Sequence, residues 1–166
     1  METLLRDFQA LLTLEVENLR RLETLMRNQQ ASLVRRDVGG ILESVSGQEE
    51  CLGRIQSMEE ERARLMARIS EVLGLGEGGI TLRQITEHLD PGVGEELRAT
   101  GKAVRETLEN IGRVNGENRR LIQHSLEFVQ EMLAALAGDG LPVRTYGSSG
   151  TLSAEKRVRS LVNQWT

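Results

Sequence analysis

The sequence predicts an all-α fold: an elongated, coiled-coil-like antiparallel bundle of three long helices with a short connecting helix and a C-terminal tail. Apolar residues recur at alternating spacings of three and four over long stretches, as they do on one face of a helix. Proline occurs only at positions 91 and 142, and aromatic residues make up 2% of the 166 residues, a composition typical of long helices rather than strands. Short glycine-rich or polar segments separate the helical stretches, which favours an up-down-up arrangement.

The first two helices are predicted over about residues 2–30 and 37–73. The core-facing row of the first contains Glu15 as its one polar residue. We expect the break between Gln30 and Asp37, where Ser32 and Asp37 are the side chains able to cap a helix. The expected core row of the second helix includes Val38, Ile41 or Leu42, Val45, Leu52, Ile55, Met58, Arg62, Leu65, Ile69 and Val72.

The short helix is predicted over about residues 81–89, because Thr81 and Gln84 have the spacing of a capping box. The long helix that follows is predicted over about 91–137, since Asp90 suits the N-cap and Pro91 the first helical position. Its core row is expected to comprise Leu97, Gly101, Val104, Leu108, Ile111, Asn115, Asn118, Ile122, Ser125, Val129, Met132 and Leu136.

The apolar stripe of this long helix changes along its length. Around Asn115 and Asn118 the row is polar, and from Leu121 onward the stripe is much broader than a two-position seam. A stripe of that width can contact two neighbours at once. Both neighbours can be helices of this chain, or one can be a helix of a partner, and the sequence leaves the two interpretations open.

Residues 138–166 are predicted to form a flexible tail. The glycine-, serine- and proline-containing stretch from Gly138 to Gly150 leaves no room for packed secondary structure. An amphipathic helix is predicted over about 153–165, with a basic opposite face. Because a helix of about three turns is marginal alone in water, we expect it to dock on its own bundle or on a partner. Its anchors are Val158, Leu161, Val162 and Trp165.

No pattern in the sequence predicts catalysis, a cofactor or a metal site. His88 and His124 have no cysteine or carboxylate at metal-ligand spacing, and the single cysteine, Cys51, is expected to be a packed or half-exposed thiol. The glycines form neither of the common phosphate-binding motifs. We therefore expect a binding protein rather than an enzyme.

Charge and hydropathy exclude two classes of partner. The net charge is −4 with both signs interspersed, which argues against a nucleic-acid or anionic-membrane surface. No apolar run of about 18 residues and no signal peptide is present. The expected location is the cytoplasm, and the expected state is a monomer or weak homo-oligomer.

Two segments resemble the flagellar export chaperone FlgN family. Asn115-Gly-Glu-Asn118-Arg-Arg-Leu121-Ile122-Gln-His-Ser125-Leu126-Glu-Phe128-Val129, followed by Thr145-Tyr146-Gly147 and Gly150, is similar to the C-terminal signature of that family. Upstream, Leu33–Asp37 and Glu59–Arg62 with Leu65 resemble its helix-one/helix-two junction and its Glu/Arg-rich second helix.

The resemblance implies a cytoplasmic helical chaperone of flagellar type III export. Such a chaperone binds the C-terminal amphipathic helices of hook–filament junction proteins (FlgK and FlgL), prevents their premature assembly and delivers them to the export apparatus. Tyr146 matches the tail tyrosine that contacts the export gate. The alternative is a non-catalytic coiled-coil adaptor that dimerises through the same stripe. The cargo-binding candidates implied by the resemblance are Leu121, Ile122, Ser125, Leu126, Val129 and Leu133.

Overall fold

The computed structural model describes residues 1–74 and 81–136, together with the backbone of 145–146 and 152–153. Two compact units are present, Met1–Arg119 and Arg120–Thr166. Three long helices and one short helix make up nearly all of the described chain, so the predicted all-α bundle is confirmed. The elements are α1 (Glu2–Arg35), α2 (Val38–Leu73), α3 (Leu82–Glu87), α4 (Pro91–Leu136), β1 (Thr145–Tyr146) and β2 (Leu152–Ser153).

A two-residue turn joins α1 to α2. Arg36 adopts the left-handed conformation (φ 58°), and its backbone N–H donates to the carbonyl of Leu33. Asp37 is the N-cap of α2, and its carboxylate accepts a hydrogen bond from the backbone N–H of Gly40 at 3.0 Å. The structure thus places the break at the C-terminal limit of the window expected from the sequence, because nothing between Gln30 and Arg35 interrupts the helix.

Polar contacts fix the directions of the long helices within Met1–Arg119. Glu15 faces Arg62 and Gln29 faces Gln48, so residue numbers fall along α2 as they rise along α1, and these helices are antiparallel. Between α1 and α4 the amide of Gln9 donates to Glu96, and the amide of Gln30 donates to Glu117. Both pairs are separated by 87 residues. A constant offset means that α1 and α4 run parallel, as an up-down-up bundle requires.

Two apolar clusters form the core of this unit. The first gathers residues of all four helices, and the second lies further along α1 and α4 around Cys51, which is 1% exposed. Burying an aliphatic side chain in such clusters contributes about 1.5–3 kcal/mol. The first cluster is formed by Leu4, Phe8, Leu12, Leu65, Ile69, Ile85 and Leu97, and the second by Leu22, Met26, Cys51 and Val114.

The short helix α3 packs closely on the start of α4. The predicted capping box is present, with the Thr81 hydroxyl accepting from the backbone N–H of Gln84 and the Gln84 side chain accepting from that of Thr81. A Cβ atom on Gly101 would collide with Leu82, and one on Gly94 would lie 3.0 Å from the carbonyl oxygen of Thr86. Glycine at these two positions therefore allows the close approach.

The predicted core rows of α2 and α4 are partly shifted by one residue. In α4, Thr107 and Val114 are buried, whereas the predicted Leu108 and Asn115 are exposed. In α2, Cys51 is buried in place of Leu52. A threonine can occupy the core because its hydroxyl is satisfied within the helix, as when Thr107 donates to the carbonyl of Ala103. Periodicity alone cannot distinguish two such adjacent positions.

Among the buried polar side chains, Glu15 and Asn118 contact a neighbouring helix. Glu15 is 6% exposed, as its place in the predicted row requires, and its Oε2 lies 3.8 Å from Nε of Arg62. Burial raises the pKa of the Glu15 carboxyl, although Arg62 opposes this. Asn118 is 2% exposed, and its amide donates to the carbonyl of Met26 at 2.8 Å and to Oε1 of Gln29 at 3.1 Å.

A short strand pair lies where the sequence predicts no packed secondary structure. β1 and β2 are antiparallel, with Thr145 opposite Ser153 and Tyr146 opposite Leu152. Ser153, the first residue of the predicted tail helix, is therefore a strand residue, because its backbone pairs with that of Thr145. The predicted helix over about 153–165 lies outside the described residues, apart from Ser153.

Candidate functional site

An exposed apolar surface covers the last part of α4. Most of its side chains are large and aliphatic, yet the exposed fraction rises from 39% at Ile122 to 57% at Leu126 and 75% at Leu136. A contiguous exposed apolar surface of this kind is typical of a binding site. We call this surface the distal face and define it as Leu121, Ile122, Leu126, Val129, Met132, Leu133 and Leu136.

Helical geometry puts these side chains on one side of α4. At 100° per residue they fall within an arc of about 140°, and Gln123, Glu127 and Glu131 project from the opposite side. The distal face is thus apolar across more than a third of the helix circumference. An arc this wide can accommodate another amphipathic helix.

Polar groups near the distal face are satisfied within α4 itself. The hydroxyl of Ser125 donates to the carbonyl of Leu121 at 2.8 Å, so it can be buried by a partner without losing a hydrogen bond. On the polar side, Nδ1 of His124 lies 3.4 Å from Oε2 of Glu127. These local bonds leave the distal face itself with aliphatic side chains and no charge.

The α1–α4 contacts belong to the unit Met1–Arg119. There α1 and α4 keep a constant offset of 87 residues, at Gln9–Glu96 and at Gln30–Glu117. The distal face belongs to the other unit, Arg120–Thr166, where α4 keeps its apolar stripe and the large apolar side chains from Ile122 onward are exposed.

The boundary is marked by a polar contact between α1 and α4. Nε2 of Gln30 donates to Oε2 of Glu117 at 2.8 Å, and this hydrogen bond is the main reason that the pKa of the Glu117 carboxyl is lowered. One residue further, Asn118 makes its buried bonds to α1. The polar middle of the predicted row is therefore the point at which α1 and α4 are fixed in register.

The structure brings five of the six predicted cargo-binding residues together on the distal face, and Ser125 lies among them. Leu121 is half-buried, and the other five are exposed. Met132 and Leu136 were not among the predicted cargo-binding residues, although both stood on the predicted core row. They are 49% and 75% exposed. Their positions three and seven residues after Val129 place them on the same side of the helix, and this was the signal available in the sequence.

The remaining predicted contacts lie in the C-terminal tail. Tyr146 belongs to β1, and its side chain is outside the described residues. The predicted tail anchors Val158, Leu161, Val162 and Trp165 also lie outside the described residues. Their assignment stays a prediction.

A second exposed apolar patch, which sequence reasoning missed, lies at the α1–α2 turn. Val34, Val38 and Leu42 are 69%, 67% and 64% exposed, although the sequence placed Val38, with Leu42 as an option, on the core row of α2. Arg35 and Arg36 lie in the same turn. Two consecutive arginines directly after Val34 in the sequence were the available signal that this end of the helix pair faces water.

Groups that carry chemistry are dispersed in the part of the chain that the structure describes. Nδ1 of His88 lies 2.9 Å from the carbonyl of Gln84, far along the sequence from His124, and Cys51 is buried. Among residues 1–74 and 81–136, no group of three or more His, Cys, Asp or Glu side chains could hold a metal ion. No helix within the same residues is long and apolar enough to span a membrane.

Comparison with known proteins identifies one family. The family model described as FlgN protein matches residues 1–154 of this chain, a span that contains all four helices and the distal face. The match ends before the predicted tail anchors. No curated protein and no solved structure matches the chain.

Proposed function

Because the chain belongs to the FlgN family, whose members are flagellar export chaperones, we propose that its distal face binds secreted flagellar cargo. The cargo is the C-terminal amphipathic helix of hook–filament junction proteins of the FlgK/FlgL kind. Binding in the cytoplasm covers the assembly-prone helix of the cargo until the export apparatus receives it. Tyr146 contacts the export gate in this proposal, by resemblance to the family.

The exposure of the distal face is the observation that carries the proposal. Five large aliphatic side chains are between 48% and 75% exposed on one side of a regular helix. An amphipathic helix is recognised by such a surface through anchors three to four residues apart. Leu126, Val129, Leu133 and Leu136 have that spacing.

The chemistry of the distal face suits reversible binding. A fully buried aliphatic anchor contributes about 1.5–3 kcal/mol, and the anchors of the distal face are already about half covered by their own helix. A cargo helix buries apolar surface of its own at the same time. Association costs of about 4–15 kcal/mol oppose this gain, so the complex can form and still be released to the export apparatus.

Val129→Asp tests the site directly. We expect the affinity for a synthetic C-terminal helix of a junction protein to fall by at least about 30-fold, or about 2 kcal/mol, because the complex would bury an unpaired carboxylate. Isothermal titration calorimetry measures the affinity, and circular dichroism reports whether the variant is folded. Leu108→Asp is the matched control, since Leu108 is 50% exposed on the same helix but outside the distal face.

Two results would contradict the proposal. One is a folded Val129→Asp variant that binds the cargo helix as tightly as the unmodified chain. The other is a tight dimer in sedimentation that ignores added cargo, which would favour the coiled-coil adaptor. A monomer that forms a 1:1 complex with the cargo helix, and a Leu108→Asp variant that binds normally, support the chaperone.

A further inference from the structure

We propose that residues 154–165 of the C-terminal segment dock on the distal face of the same chain and compete there with cargo. The occupant is a segment of this protein rather than a second copy. The docking does not depend on the proposed function. Only the identification of the competitor as cargo rests on it.

The strand pair turns the chain back before this segment begins. Thr145 pairs with Ser153, so the chain after Ser153 starts beside a residue only nine positions beyond Leu136. Nine residues span at most about 30 Å, whereas the distal face, from Leu121 to Leu136, is about 22 Å long at 1.5 Å per residue. The segment can therefore reach the distal face without any change in α4.

The segment has the apolar pattern that the distal face can bury. Val158, Leu161, Val162 and Trp165 recur at i, i+3, i+4 and i+7, so a helix formed there presents them on one side. A helix of that length is unstable alone in water and gains stability only by docking. Because the tether is short, the effective concentration of the segment at the distal face is of millimolar order, and a weak contact is enough.

Charge disfavours the other exposed apolar patch as the docking place. Residues 154–165 contain three basic residues, at 156, 157 and 159, and Glu155, which gives +2. Residues 34–38 at the α1–α2 turn contain two arginines and Asp37, and this net charge of +1 opposes a basic segment. The distal face carries no charge, since Glu127 and Glu131 project from the opposite side of α4, so nothing there opposes the segment.

Trp165 is the only tryptophan in the chain, so its fluorescence reports on docking without any cargo. In the unmodified full-length protein we expect acrylamide to quench Trp165 less than in the urea-unfolded chain. Val129→Asp should raise the quenching constant to near the unfolded value and shift the emission to the red. Leu108→Asp should leave both unchanged, and circular dichroism confirms that each variant is folded.

Quenching in the folded, unmodified protein as strong as in the unfolded chain would overturn the proposal. Protection that disappears on dilution would also overturn it, because the occupant would then be a second copy. Equal effects of Val129→Asp and Leu108→Asp would show that Trp165 docks elsewhere.

Val162→Asp in the full-length chain tests the competition. If the segment covers the distal face about 90% of the time, releasing it should tighten cargo binding about tenfold, since the apparent affinity scales with the uncovered fraction. Loss of Trp165 protection with unchanged cargo affinity would overturn the competition. Failure of cargo to bind either chain, with Trp165 protected in the unmodified one, would count against the proposed function and leave the docking intact.

Discussion

The first and last parts of α4 are built from the same kind of sequence but have opposite environments. Leu97 and Val114, in the first part, are 0% exposed, whereas Leu126 and Leu133, in the last, are 57% and 59% exposed. Both parts belong to one continuous helix, Pro91–Leu136, with apolar residues three or four apart. The difference therefore does not come from local structure.

Periodicity identifies the apolar side of a helix, whereas the neighbouring helices decide whether that side is buried. Within Met1–Arg119, apolar side chains of α4 are buried in the two clusters that α4 forms with α1 and α2. From Ile122 onward, α4 keeps its apolar stripe, but the large apolar side chains are exposed. Exposed apolar side chains of this kind are available to a binding partner.

The largest expected effect comes from truncating matched leucines in the two parts. Leu97→Ala should lower the free energy of unfolding by about 2–5 kcal/mol, because it opens a cavity in the first core cluster. Leu133→Ala should change it by less than about 0.5 kcal/mol, because that side chain is more than half exposed. Urea denaturation followed by circular dichroism measures both. Similar losses in the two variants would show that the distal face is part of the folding core.

A smaller effect is expected from two asparagines at the boundary. Asn118→Ala should cost about 1–3 kcal/mol, because it removes the buried amide bonds to Met26 and Gln29. Asn115→Ala, three residues earlier and exposed, is the matched control and should be nearly neutral. Equal stability of the two variants in the same urea assay would argue that Asn118 does not hold α1 and α4 in register.

The smallest effect is a pH dependence of opposite sign at two glutamates of the bundle. Burial raises the pKa of Glu15 above its ordinary value of 4.5, so the protonated form favours folding, and Glu15→Gln should gain stability over the unmodified chain as pH rises through that folded pKa. The hydrogen bond from Gln30 lowers the pKa of Glu117. The stability it contributes is present above pH 4.5 and is lost on acidification through the folded pKa, and Glu117→Gln should abolish it.

Urea titrations of both variants and the unmodified chain between about pH 3 and 8 measure these differences. Slopes of the same sign for the two variants would contradict the assigned causes. Leu133→Ala removes no titratable group, so it serves as a control. Its stability as a function of pH should run parallel to that of the unmodified protein.

Much of the fold follows from the sequence. Heptad spacing predicted the long helices, the Thr81–Gln84 spacing predicted the capping box, and the placement of Glu15 on the core row of α1 agrees with its burial. These features depend on residues close in sequence or on the period of one helix. The family resemblance was also available from the run Asn115–Val129, and the family match confirms it.

The shifted core positions could not be predicted in the same way. Thr107 is buried while Leu108 is 50% exposed, and Cys51 is buried while Leu52 is 54% exposed. Adjacent residues on a helix differ by about 100° in direction, so the side that is covered depends on where the neighbouring helix lies. The exposure of Val34 and Val38 at the α1–α2 turn has the same origin.

The sequence by itself determined that the chain forms long amphipathic helices, where most of them begin and end, and that α4 has an over-wide apolar stripe near its end. Only the tertiary structure decided that the stripe is exposed from Ile122 onward. The physical reason is that helix formation and amphipathic pattern are local properties of the chain. Burial of an apolar side against a neighbouring helix is not local, because it depends on contacts between residues far apart in the sequence, such as the α1–α4 contacts of Met1–Arg119 at a separation of 87 residues.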